Sequence, residues 1–208
     1  KVKAGFRNRY RRSIDNNVRV IRCPLLLREE MRGIWRLLAP VTFALSSAPI
    51  VFWKILAGRP HVVFLVEPTL FAAPVALLAA KLVGARTILH VQDLEVDAAF
   101  AVGHLASKKL LKRVGYAFER FCLKHLDQVV TISNRMADKL AEKGVDRERL
   151  QVIRNWVDLD NIYPLEGPSP YRAELGYKDD DFIVLYSGNI GAKQGLSVLL
   201  EAASLLVR

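Results

Sequence analysis

Five short apolar runs mark the chain: VVFLV at 62–66, TILHV at 87–91, QVVTI at 128–132, LQVI at 150–153 and FIVLY at 182–186. They are rich in β-branched and aromatic residues and lack the alternation of a strand with one wet face. Such runs predict strands covered on both faces, hence a parallel sheet with helices on both faces. The stretches between them have helical spacing. One helix is predicted over 70–83, stopped by Gly84. A second, over 107–125, puts Leu111, Val114, Phe118, Phe121 and Leu126 on one apolar face and its basic residues mostly opposite. A third follows Ser133, a good N-cap, and stops at Gly144. From 184 onward come a strand, a loop holding Gly188, Gly191 and Gly195, and a helix apolar on one side. Alternating strands and helices give a Rossmann-like, doubly wound α/β pattern.

One segment breaks the rhythm. Residues 37–53, LLAPVTFALSSAPIVFW, carry no charge but include Pro40, Pro49, Thr42, Ser46 and Ser47. At the short limit for a membrane span and interrupted by proline, the segment predicts a broken helix, packed in the core or lying against a bilayer surface. The charge beside it is lopsided. Residues 1–36 hold eleven Lys or Arg against Asp15, Glu29 and Glu30, 11 − 3 = +8 of the chain's net +10. A second basic concentration runs through Lys108, Lys109, Lys112, Arg113, Arg120 and Lys124, offset by Glu119. These surfaces suit phosphate on nucleic acid, on anionic lipid or on a nucleotide, or are simply solvated. No nucleic-acid motif is present. With 51% hydrophobic residues in 208, the chain has a core to bury and is not disordered. Cys23 and Cys122 lie far apart in apolar surroundings, as reduced, packed thiols would.

In parallel sheets, ligands bind beyond the carboxyl ends of the strands, where helix N-termini and free amides converge. That rim collects Glu67, then His90 with Gln92, Asp93, Glu95 and Asp97, then Ser133, Asn155 and the 188–195 loop. Each has a plainer reading. A histidine at a strand end is often structural, Ser133 and Asn155 are ordinary caps, and the carboxylates fit a solvated loop better than a metal site. The glycine loop follows neither the dinucleotide nor the Walker pattern, although Lys193 within it is placed to meet a diphosphate. Neither a Ser-His-Asp order nor zinc spacing occurs.

Four segments together, RTILHVQDLEVDAA (86–99), QVVTISNRMADKLAEKGV (128–145), VIRNWVDLDNIYPL (152–165) and LYSGNIGAKQGLSVLLEAA (185–203), resemble family 4 glycosyltransferases. Among these, the likeness is to bacterial enzymes of colanic-acid and related exopolysaccharide synthesis, in order and spacing from about residue 17 onward. The resemblance implies a GT-B enzyme in which two Rossmann-like domains face a cleft, with the acceptor mainly on the first and the nucleotide-sugar donor mainly on the second. It implies sugar transfer with retained anomeric configuration and no cofactor or required metal. His90 matches the family histidine that contacts the donor sugar or its phosphate, and Asp93 is placed to help the acceptor hydroxyl. Gly188, Asn189, Gly191, Lys193, Gln194 and Gly195 match the donor diphosphate loop, with Glu67, Ser133 and Asn155 lining the cleft. Many relatives have Arg at Asn189 and Lys at Gln194; here the basic residue is one place earlier, at Lys193.

The family's first strand would precede Lys1 and its Glu-x7-Glu stretch would follow Arg208, so a fragment inactive by itself is expected. It would comprise an acceptor-side domain (1–163), a linker near 163–170 and the start of a donor domain (164–208). The expected partners are a GDP- or UDP-linked sugar, a lipid-linked saccharide acceptor and the anionic inner-membrane surface, reached from the cytoplasm. Salt-sensitive binding to anionic vesicles is expected. The alternatives are a sugar-nucleotide epimerase on the same architecture and a non-catalytic membrane-docking, nucleotide-binding module.

Overall fold

Four of the apolar runs pair into one sheet. In the computed structural model, residues 7–27, 34–67, 70–94, 96–97, 100, 109–190 and 194–206 are described. Strands β3 (Val62–Val66), β4 (Arg86–Val91), β5 (Gln128–Thr131) and β6 (Leu150–Val152) lie in that order, all parallel. The helices between them are α2 (Ala73–Val83), α3 (Lys109–His125) and α4 (Asn134–Glu142). The fold is thus α/β, a parallel sheet flanked by helices. By backbone contacts the chain divides into two units, Lys1–Arg154 and Asn155–Arg208.

Helix ends follow the sequence signals. α2 stops at Gly84, whose φ of 73° costs little without a Cβ. α4 starts at Ser133, whose hydroxyl accepts from the Met136 amide at 3.2 Å. The core lies between sheet and helices: Leu89, Val91, Val129 and Thr131 pack with Cys122, Leu123, Leu126 and Leu140, all under 3% exposed. Both cysteines are free thiols, and burial pushes Cys122 up to about 12, with Glu67 and Glu119 adding to it. At the β3 edge, cover is one-sided, because Val62, Phe64 and Val66 remain 47, 57 and 43% exposed.

The α3 face differs from its sequence reading. Val114 and Phe121 are exposed, while Glu119 and Cys122 are buried. A salt bridge from Glu119 to Lys143 makes the carboxylate tolerable in the core, so the buried stripe rotates toward it. Gly115 lies on the same turn, where a Cβ would come within 3.2 Å of the Phe100 ring.

One element was not foreseen and another departs from its expectation. Strands β1 (Arg11–Asp15) and β2 (Val18–Arg22) form an antiparallel hairpin, turned by Asn16 and Asn17 at φ 49° and 64°. Two central residues with positive φ give the turn whose twist matches a right-handed hairpin, and Asn tolerates that region. Second, α1 (Ile34–Gly58) runs unbroken for 25 residues through Pro40 and Pro49, correcting the broken helix. The carbonyl freed by Pro49 belongs to Leu45, and both residues are exposed, so the lost hydrogen bond falls on the open flank. Over Leu38–Gly58, α1 is long and apolar enough to cross a membrane, a test that core helices of soluble proteins also pass. On its inner flank, Ile55 packs on Ala76 and Ala79 of α2, with Val51 and Phe52 beside them.

The fifth run, 182–186, forms no strand. Backbone donors and acceptors need a neighbouring strand, and none is paired with it among the described residues. In the second unit, helix α5 (Tyr171–Glu174) and helix α6 (Ser197–Leu206) flank the glycine loop.

Candidate functional site

The geometry is sharpest at the carboxyl end of β4. Register places His90 opposite Val66 and Phe64 opposite Ile88, so strand alternation puts Phe64 and His90 on one side of the sheet. Their ring centroids are 6.0 Å apart. The His90 carbonyl accepts the Glu67 amide at 3.0 Å, fixing the ends of β3 and β4 together. Leu89 and Val91, on either side, point into the core, and Thr131 Oγ1 donates to the Val91 carbonyl at 3.1 Å. These contacts hold the His90 backbone, and alternation puts its side chain on the face of the sheet opposite Leu89 and Val91.

His90 Nε2 is buried and has no hydrogen-bond partner among the described residues. A buried imidazole nitrogen ordinarily finds a partner, and this one can donate or accept according to tautomer. It is therefore suited to a group arriving from outside the chain.

The other rim residues divide by role. Glu67 is 4% exposed, and its charge adds to the rise of the Cys122 thiol. The Ser133 hydroxyl is used in capping α4. Asp93 is exposed in the bend after β4. Asn155 is exposed at the start of the second unit. In that unit, Tyr186 donates its hydroxyl to the Asn189 carbonyl at 3.0 Å, and a Cβ on Gly188 would meet the same hydroxyl at 2.9 Å. Gly188 thus leaves room for Tyr186 to close the loop. Gly195 has φ +59°, and its carbonyl accepts from the Val198 amide at the start of α6. Gln194 beside it is exposed. Gly191 and Lys193 lie outside the described residues.

Sequence reading missed the support behind β4. Asp97, expected in a solvated loop, bonds Lys143 Nζ at 2.7 Å, and Glu119 bonds the same ammonium at 2.6 Å. Tyr116 donates to Asp97 at 2.7 Å and turns its ring to Lys143, 4.8 Å from the centroid. Burial raises Glu119 above the ordinary carboxyl range, against the pull of Lys143. At Asp97 burial also opposes ionisation, but hydrogen bonds from Lys143 and Tyr116 prevail and lower its pKa. The bond to Asp97 pushes Tyr116 up to about 12. This cluster ties the segment after β4 to α3 and to the end of α4. Among the described residues, no three metal-ligating side chains converge.

Comparison with known proteins adds a family to this geometry. Residues 4–156 match the glycosyl transferase 4-like domain. The chain is 40% identical over 205 residues to the Escherichia coli (strain K12) protein named as a colanic acid biosynthesis glycosyl transferase, WcaI, covering 95% of this chain and 49% of that protein. It is 26% identical over 98 residues to the alpha-galactosylglucosyldiacylglycerol synthase of Streptococcus pneumoniae, covering 46% of this chain and 25% of that protein. Against the alpha-maltose-1-phosphate synthase of Mycolicibacterium smegmatis it is 33% identical over 90 residues, covering 41% and 23%. The chain spans half or less of the length of these curated relatives.

Proposed function

We propose, since the chain belongs to the glycosyl transferase 4-like family, that it supplies the acceptor side and the start of the donor side of a retaining glycosyltransferase. The substrates of this reading are a GDP- or UDP-linked sugar and a lipid-linked saccharide of exopolysaccharide synthesis. The work would take place on the inner face of the membrane. The observation that carries the reading is the buried Nε2 of His90, without a hydrogen-bond partner among the described residues, at the carboxyl end of a parallel sheet. The colanic-acid relative supports the exopolysaccharide setting, and the diacylglycerol glycolipid synthase supports a lipid acceptor.

Chemically, transfer requires that negative charge developing on the departing nucleoside diphosphate be met by fixed donors. Positioned amides and cations do this without covalent work by the protein. In this reading, His90 Nε2 of the first unit hydrogen-bonds the donor sugar or its leaving phosphate. Lys193 and the amides of the 188–195 loop receive the diphosphate. Asp93, three residues beyond His90, orients the acceptor hydroxyl.

The test uses the full-length protein with labelled nucleotide sugar and membrane lipid. Labelled lipid is expected, and His90→Ala should lower its formation by about 100-fold, the scale for losing one transition-state donor. Activity within about twofold of the parent would remove His90 from the site. An epimerised nucleotide sugar, or no conversion, would overturn the transferase reading in favour of an epimerase or a docking module.

A further inference from the structure

We infer that the β1–β2 hairpin is a bilayer-docking wedge, its arginines meeting anionic lipid phosphates while Ile14 and Val18 enter the interface at its tip. This deepens the membrane-surface part of the proposed function and rests on it. The hairpin stands outside the parallel sheet. From 7 to 22 the chain carries Arg7, Arg9, Arg11, Arg12, Arg19 and Arg22 against a single acid, Asp15. Asp15 is already taken by Arg22 at 2.8 Å. The other five arginines are exposed and make no ion pair among the described residues.

Apolar side chains sit among these charges. Val18 adjoins the Asn16–Asn17 turn and Ile14 lies one residue beyond Asp15 on the other strand; they are 61 and 71% exposed. The register pairs Ile14 with Arg19 and Arg12 with Ile21 on one face, while Val18, opposite Asp15, shares the other with Arg11 and Arg22, so each face of the hairpin carries an aliphatic side chain among arginines. A free polyanion offers nothing to exposed aliphatic tips; a bilayer offers phosphates at one depth and acyl chains just below.

The wedge is held ready rather than loose. Tyr10 donates to the Ser46 carbonyl at 2.8 Å, Ser46 Oγ donates to the Pro24 carbonyl at 2.6 Å, and the Leu26 amide donates to Thr42 Oγ1 at 2.9 Å. Both stems are therefore fastened to α1. Leu45, Pro49 and Trp53 recur every four residues on that helix and are all exposed, forming an apolar stripe next to the flank that carries Thr42 and Ser46.

The test is sedimentation of the full-length protein with phosphatidylcholine vesicles, with or without phosphatidylglycerol. Binding about tenfold tighter to the anionic vesicles is expected, falling as salt rises. The triple change Arg9→Glu, Arg12→Glu, Arg19→Glu should remove that preference. Ile14→Ser with Val18→Ser, at exposed positions that leave the thermal midpoint unchanged, should weaken binding about fivefold at raised salt, where insertion rather than charge holds the protein. Equal binding to neutral vesicles, or hairpin variants that bind as the parent does, would overturn the wedge. So would binding abolished by heparin equally in parent and serine variant. Transfer to a water-soluble acceptor reads the active site separately: it should persist in the hairpin variants, and its absence from the parent would count against the catalytic reading alone.

Discussion

Two short runs with strand-forming residues meet different fates. In QVVT at β5, Val129 and Thr131 are 0% and Val130 6% exposed, with Gln128 half-buried. FIVLY at 182–186 pairs with nothing described, and Phe182 and Leu185 are 91 and 84% exposed. Local preference is alike in the two. What separates them is the presence of β4 and β6 on either side of β5, together with the buried faces of α3 and α4. A strand is a relation between segments, and an apolar run by itself is only half of one.

The contrast can be broken most directly in the 208-residue chain. Leu89→Ala should cost about 2 to 5 kcal/mol in urea unfolding, because a cavity opens in a packed layer. Leu185→Ala should change the same measurement by less than about 0.5 kcal/mol, as at other exposed sites. Similar costs at the two positions would mean that the second unit buries its run in solution.

Next in size is the ion cluster that gives the first unit its charged core. Lys143→Met leaves Glu119 and Asp97 without their cation and should destabilise by about 2 to 4 kcal/mol near neutral pH. The deficit should shrink on acidification. Glu119, raised by burial, takes up its proton first, and protonation removes the uncompensated charge. A loss independent of pH would point to packing instead.

The smallest effect concerns the clasp at the entrance to β4, where Asp127 Oδ2 accepts from both the amide and the hydroxyl of Thr87 at 2.7 Å. Those bonds lower the Asp127 pKa below its ordinary 3.8. A carboxyl whose folded pKa is depressed adds stability that is present above the unfolded value and is lost as pH falls through the folded one. Because Asp127 is exposed and solvent screens its bonds, the parent should therefore lose only about 0.3 kcal/mol below pH 4 that Asp127→Asn does not lose, measured by denaturant midpoints across that range.

Sequence legibility tracked the range of the interactions. The four sheet strands, the Gly84 stop and the Ser133 cap were readable because each signal lies within a few residues of its effect. So was the arrival of His90 at a strand end. The isolation of its Nε2 was not, since that depends on what fails to reach it from elsewhere. Glu119, grouped by sequence with the α3 charges, went inward because Lys143 approaches it from 24 residues away. The hairpin carried a local signal, IDNNV, which an emphasis on unalternating runs passed over.

The Thr87–Asp127 clasp has a further consequence. It lies near the amino end of the strand whose other end carries His90, and neighbours along a strand look in opposite directions. A slip of one position would turn the imidazole into the oily interior and cast Leu89 outward. One carboxylate near the floor of the sheet thus helps decide which way the ring at its upper end is facing.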